Sequence, residues 1–207
     1  MTRTLQELGQ FMSTCTDCEL SVARRTVVFG VGDPTADLLF IGEGPGSNED
    51  QQGIPFVGPA GQLLNTLLSQ VGISRESVYI CNVVLCRPPG NRDPLPEEIE
   101  ACKPRLLEQV GLVDPLVVVT LGNFATRTIL NRMVGITRVR GQRFTWEGRT
   151  VIPTYHPAAI LRGGRGRIME EAQADFRTIT AAVEEARAAA TLEAIPGPLV
   201  EEQLGLF

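Results

Sequence analysis

The chain has 207 residues, 43% of them hydrophobic, and a mean hydropathy of +0.05, which fits one domain able to bury a full core without disulfides. No apolar run reaches the roughly 20 residues that a bilayer-spanning helix needs, and the amphipathic N-terminus carries no secretory pattern, so a cytoplasmic protein with no membrane partner is expected. A net charge of −5 excludes a uniformly basic surface but not a basic face: between Arg138 and Arg167 there are seven arginines and one acid, Glu147.

The elements follow in chain order from hydrophobic spacing and turn residues. Residues 5–12 read as a short helix leading into Cys15-Thr16-Asp17-Cys18. Residues 37–42 form a buried strand that ends in glycine. Residues 61–72 carry Leu63, Leu64, Leu67, Leu68 and Val71 at helical spacing. Residues 78–85 read as a second buried strand. Residues 96–110 are helical, with Pro96 in the first turn and Glu97, Glu98 and Glu100 near the positive end of the helix dipole. Residues 116–122 are a third strand, after which Asn123 is expected to cap a helix running to about Met133. Residues 142–146 and 150–155 form a hairpin around Glu147-Gly148-Arg149, and the second arm leads into His156-Pro157. A long helix spans 170–190 and ends before Pro196 and Pro198.

Short strands alternating with helices predict an α/β domain with a mainly parallel sheet, in which ligands sit at the carboxyl ends of strands. Four segments fall at such ends: 42–46, 82–89, 122–123 and 156–157. The glycine-rich first segment lacks the lysine and Ser/Thr of a phosphate loop.

There are five cysteines. Cys15 and Cys18 form a CxxC, with Cys86 and Cys102 far downstream. Four soft thiolates in a chain without a disulfide framework suit zinc or an iron–sulfur cluster alike. Cys81, inside a strand, reads as a core thiol.

The ordered set Gly42-Glu43-Gly44-Pro45-Gly46, Glu49-Asp50, Pro55-Phe56-Val57-Gly58, Cys81-Asn82-Val83-Val84, Cys86 through Arg92 and His156-Pro157-Ala158 with Leu161-Arg162 resembles the family 4 uracil-DNA glycosylases over about residues 5–185. The resemblance implies a three-layer α/β/α uracil-DNA glycosylase fold with a short central, mainly parallel sheet. It also implies a [4Fe–4S] cluster held by Cys15, Cys18, Cys86 and Cys102, and hydrolysis of uracil from single- and double-stranded DNA by a monomer. Asn82 matches the uracil-reading asparagine, whose one amide accepts from N3–H and donates to O4. Phe56 is expected to stack on the flipped base. His156, the one histidine of the chain, matches the donor to uracil O2.

Where the best-known uracil glycosylases carry a water-positioning aspartate, this chain has Gly44. Glu43 or Glu49, helped by Asn91, is therefore expected to serve the attacking water or the cationic sugar. Gly44 and Gly46 allow close approach of substrate to the backbone. A loop carrying Leu161 and Arg162 is expected to wedge into the duplex, with Arg165 and Arg167 on phosphates. Relatives that trap their abasic product carry a histidine before the fourth cysteine, and the segment 91–102 has none.

Residues 1–187 are expected to form the catalytic domain and 188–207 a linker and tail. The ending Gln203-Leu204-Gly205-Leu206-Phe207 resembles the peptide by which bacterial repair proteins dock on the β sliding clamp. Two leucines and Phe207 would fill an apolar pocket and Gln203 would bond its rim.

Overall fold

The computed structural model describes residues 3–163 and 166–193. The chain opens with α1 (Leu5–Met12), whose first turn is closed by a reciprocal box: Thr4 Oγ1 accepts from the Glu7 amide and Glu7 accepts from the Thr4 amide. A short α2 (Leu20–Ala23) and the two-residue β1 (Val31–Gly32) precede β2 (Leu38–Gly42), α3 (Ser47–Gln52), α4 (Pro59–Gln70) and β3 (Tyr79–Asn82). Then come α5 (Pro96–Val113), β4 (Val117–Leu121), α6 (Gly122–Leu130), α7 (Ile136–Val139), β5 (Phe144–Trp146), β6 (Arg149–Thr154), α8 (Pro157–Gly163) and α9 (Arg167–Glu193).

The strands form one sheet in the order β1-β3-β2-β4-β6-β5. The inner four are parallel and the two edge strands pair antiparallel. Every residue of β2, β3 and β4 is buried, because both sheet faces are covered. On one face Leu39, Ile41, Cys81, Val118 and Val151 pack under α1, α5 and α6 through Leu8, Met12, Leu106, Val110 and Ile129. On the other, Leu38, Phe40, Ile80, Val119 and Ile152 meet α4, α8 and α9 through Leu64, Leu67, Ile160, Phe176 and Ile179. This is the expected three-layer α/β/α arrangement, and Cys81 is the expected core thiol. Pro153 is tolerated in β6 because its N–H side faces away from β4: its carbonyl accepts from the Gly141 amide at 2.8 Å, beyond the end of β5.

Five local expectations are corrected. β3 stops at Asn82, and Val83 to Leu85 stay buried as a loop pinned back on the glycine-rich segment, with Val83 N–H donating to the Gly42 carbonyl at 3.0 Å and Val84 N–H to the Glu43 carbonyl at 3.1 Å. Asn123 is not a cap. It lies inside α6, and its Oδ1 accepts from the Ile136 amide at 2.9 Å, tying α6 to α7. α6 ends at Leu130, where Asn131 takes a left-handed conformation. Leu161 and Arg162 sit in α8 rather than in a loop. The long C-terminal helix begins at Arg167 and runs to Glu193. No described helix is long and apolar enough to cross a membrane.

Candidate active site

The carboxyl ends of β2, β3 and β6 open onto one cavity of about 240 Å³, whereas residues 122–123 at the end of β4 do not line it and Gly122 lies behind His156. Its lining unites Glu43, Gly44, Glu49, Phe56, Asn82, Asn91, His156 and Arg162, which come from six separate stretches of sequence. Register explains the meeting: Gly42 pairs with Asn82 across β2 and β3, so the loops leaving both strands start level.

Asn82 is 1% exposed, and its Oδ1 has no hydrogen-bond partner. A buried acceptor left open costs free energy until a donor arrives, and Asn82 is one of the residues lining a cavity sized for a planar ring. Gly42 makes this possible. A Cβ there would stand 2.4 Å from Asn82 Oδ1 and 2.6 Å from the Phe56 ring, so any side chain would displace both groups.

Phe56 is buried and its ring centroid lies 5.6 Å from that of His156. His156 follows β6 and is half-buried. Its Nδ1 accepts from the Ala158 amide at 3.2 Å, which assigns the neutral ring's proton to Nε2. Burial, followed by the nearby Arg162 guanidinium, pushes its pKa down to about 4, so at neutral pH the ring is uncharged and offers a single N–H. The strand end that carries it is braced by an ion pair between half-buried Arg140 and buried Asp175. Asp175 accepts from Arg140 Nε at 2.9 Å and from Thr154 Oγ1 at 2.6 Å.

The two acids differ. Glu49 Oε1 accepts from the amides of Val57 and Gly58 at 3.0 and 2.8 Å, and Oε2 accepts from the Gly46 amide at 3.2 Å. Its carboxylate ties two loops of the cavity wall together. Glu43 makes no side-chain hydrogen bond among the described residues. Burial, with Asp93 second, pushes its pKa up to about 7 against the opposing pull of Arg162. Glu43 is thus the acid whose charge can change near neutrality. A Cβ at Gly44 would meet Val84 Cγ2 at 2.7 Å, so a side chain at this position would need Val84 to move.

Asn91 sits at the mouth with φ 55° and accepts from Arg87 Nε at 2.7 Å. Its loop is anchored by a fork-to-fork pair, Arg92 to the buried Glu98 at 2.6 and 2.9 Å, and Glu98 also accepts from the Leu95 amide at 2.7 Å.

An open groove of about 410 Å³ adjoins the cavity past Ser47, Asn48, Pro59, Leu161 and Arg162. Leu161 is 39% exposed beside it. The basic segment is less of a single face than its composition suggests, since Arg140, Arg143 and Arg149 are paired with Asp175, Glu185 and Asp114. Arg162 forms no ion pair among the described residues, whereas Arg167 lies 3.5 Å from Glu171. Arg165 and the tail residues Gln203, Leu204, Leu206 and Phe207 lie outside the described residues.

Cys15, Cys18, Cys86 and Cys102 line a second, smaller cavity on the far side of the 83–92 loop, together with Met12 and Arg24. All four are free thiols. Burial raises the thiols of Cys15, Cys86 and Cys102, the last to about 12, so thiolates here call for positive charge beside them. Arg24 Nη1 lies 3.4 Å from Cys86 Sγ. Among the described residues no three His, Cys, Asp or Glu side chains are grouped as a single-ion site.

Sequence reasoning missed Arg24, Arg92, the Ala158 amide and the loop-holding role of Glu49. All depend on where separate segments meet, and only the CxxC and the Arg-Pro-Pro-Gly-Asn-Arg run hinted at the neighbourhoods.

Asn82, Phe56 and His156 thus come together around one cavity at the carboxyl ends of the strands of an α/β fold. The uracil DNA glycosylase superfamily pattern matches residues 29–183. The chain is 48% identical to the type-4 uracil-DNA glycosylase of Thermotoga maritima over 165 residues, which cover 77% of this chain and 86% of that protein. It is 43% identical to the type-4 enzyme of Sulfurisphaera tokodaii, over 84% of this chain and 83% of that one, and 43% identical to that of Archaeoglobus fulgidus, over 84% and 91%. The chain belongs to the uracil DNA glycosylase superfamily, within its type-4 family.

Proposed function

We propose that this protein is a DNA repair enzyme that removes uracil by hydrolysing the N-glycosidic bond of a flipped-out deoxyuridine, leaving an abasic site in single- or double-stranded DNA. The observation that carries the reading is that Asn82, whose buried Oδ1 has no hydrogen-bond partner, is one of the residues lining the cavity. Uracil presents an N3–H donor beside its O4 acceptor, so one amide satisfies both atoms. Cytosine presents an acceptor at N3 and a donor at the neighbouring position, and would leave Oδ1 facing a lone pair.

In this reading Phe56 stacks on the base and His156 donates its Nε2–H to uracil O2. When the C1′–N1 bond breaks, its electron pair leaves with uracil, and the donor holds the resulting anion. The sugar becomes cationic at C1′ and takes up a water oxygen. Glu43, in its charged form, faces that cation and accepts the proton that the water loses. Glu49 holds the loops that set this geometry, and Asn91 closes the mouth. Leu161, exposed at the groove, is the candidate wedge, with Arg162 and Arg167 on phosphates and Arg165 beside them in sequence.

The four cysteines would hold a [4Fe–4S] cluster, one thiolate to each iron. The donor set fits: four thiols share one cavity, with a guanidinium against one sulfur and the fifth cysteine sealed inside β3. Bound there, the cluster would act as a staple, joining the segment after α1 to the 83–92 loop and α5. The tail Gln203–Phe207 is proposed to dock on the β sliding clamp on the strength of its sequence pattern. A pull-down in which its deletion leaves clamp binding intact would remove that reading.

The enzyme is tested with a labelled oligonucleotide carrying one uracil, cleaved by alkali after incubation, beside a thymine control. Cutting at uracil alone, reduced about a hundredfold or more in Asn82→Ala, is the expected result. Equal cutting by wild type and variant would refute the assignment of Asn82.

A further inference from the structure

Phe56 is held in a conformation that its own backbone resists. Its φ is 53°, in the left-handed region where a bulky residue is strained. Contacts from outside the residue must hold it there, and three can be named. On its C-terminal side, Glu49 accepts from the Val57 and Gly58 amides. On its N-terminal side, Arg75 Nη2 donates to the carbonyl of buried Pro55 at 2.6 Å. The same guanidinium donates through Nη1 to Asn65 Oδ1 on α4 at 2.8 Å. The start of α4 also presses against the loop, since a Cβ at Gly61 would stand 1.8 Å from the Phe56 carbonyl oxygen.

We infer that Arg75 is a positioning residue for base recognition, fixing the Phe56 ring by bridging the loop that carries it to α4. Arg75 lies 20 residues from Pro55 in sequence, in the 3-10 turn that leads into β3, and it does not line the base cavity. Its influence on the base therefore passes through Phe56. Arginine suits the task because a planar fork presents two donors in fixed, divergent directions, whereas a lysine ammonium is a point charge on a flexible stem. Without the guanidinium the Pro55 carbonyl loses its donor, and the left-handed turn at Phe56 loses one of its two polar anchors. The inference rests on the reading of Phe56 as the ring that stacks on uracil.

The test compares Arg75→Met, Arg75→Lys, Asn65→Ala, Phe56→Ala and the Phe56→Ala/Arg75→Met double variant. The readouts are inhibition by free uracil, KM and kcat on a uracil oligonucleotide, and the melting temperature. We expect Arg75→Met to weaken uracil inhibition about tenfold, part or all of one base-stacking contact. Arg75→Lys and Asn65→Ala should fall between it and wild type. In the Phe56→Ala background, Arg75→Met should cost no further uracil affinity, because both changes remove the same contact. Folded Arg75→Met with unchanged uracil inhibition, or losses that add in the double variant, would overturn the inference. If Arg75→Met does not fold, wild-type uracil inhibition in both Arg75→Lys and Asn65→Ala overturns it. Phe56→Ala with unchanged inhibition would overturn the stacking role itself and this inference with it. Phe56→Ala weakened beside a normal Arg75→Met would overturn the role of Arg75 alone.

Discussion

Replacing Glu43 by glutamine should slow the enzyme and stabilise it, with both effects tied to one pH window. The carboxyl is drawn from 4.5 up to about 7, first by burial and then by Asp93. The folded protein therefore holds this proton more tightly than the unfolded chain. Stability is greatest while the group is protonated and falls as pH rises from about 4.5 through about 7. At about 1.36 kcal/mol per pKa unit the full shift is worth about 3 kcal/mol. The carboxyl keeps part of its surface in water, which reduces the realised difference to about 1–2 kcal/mol.

Glutamine has no proton to lose, so Glu43→Gln should melt about 4 °C above wild type at about pH 8 and close to it at about pH 5. In single-turnover assays the wild-type rate should climb about tenfold per pH unit below about 7 and then level, while the variant stays slow and flat across that range. A melting difference that is the same at both pH values would refute the argument that burial strains this carboxylate. A wild-type rate without the limb near 7 would refute its action in the charged form.

Other expectations concern the imidazole and the cysteine cavity. Because the chain has one histidine, its ring can be followed by NMR without assignment. It should be neutral and protonated on Nε2 at pH 7, charging only near the value of about 4 to which burial pushes it; titration near 6.5 would contradict a desolvated donor. His156→Gln should lower kcat about 10²–10³-fold, the cost of losing one donor aimed at a developing anion. Cys86→Ser should bleach the visible absorption of the purified protein and lower its melting temperature. Uracil cutting at low temperature should survive in whatever folded fraction remains, because the cavity that holds Cys86 is separate from the base cavity. Full colour and an unchanged melting curve would remove Cys86 from the ligand set.

The sequence carried the layers of the fold more readily than the walls of the site. Residues 38–42 and 117–121 are unbroken apolar runs, the pattern of strands covered on both faces, and the leucines of α4 repeat at helical spacing. α8 was hidden by its brevity and the glycines that follow it, although Pro157 at its start was a usable signal. α3 was hidden by composition, since Ser47 to Gln52 has no apolar residue. The site's ring and amide, Phe56 and Asn82, were legible through their motif, and Asn82 also as a polar residue ending a buried strand. What holds them was not legible. Arg140 meets Asp175 across 35 residues and Arg75 meets Pro55 across 20, and nothing in local spacing links such partners. The same blindness hid the acidic partners of Arg140, Arg143 and Arg149 in the arginine-rich segment.

The stretch from Asn82 to Cys86 belongs to two centres at once. Asn82 faces the base cavity, and four positions later Cys86 faces the cavity of thiols. Between them the backbone is fastened by bonds from Val83 to Gly42, from Val84 to Glu43 and from Val28 to Leu85. Loops usually absorb insertions and deletions freely, but this one has no slack to give. A residue added or lost here would rotate either Asn82 or Cys86 out of its cavity. The length of this connection is therefore fixed by both cavities at once, and engineered insertions in the protein belong elsewhere.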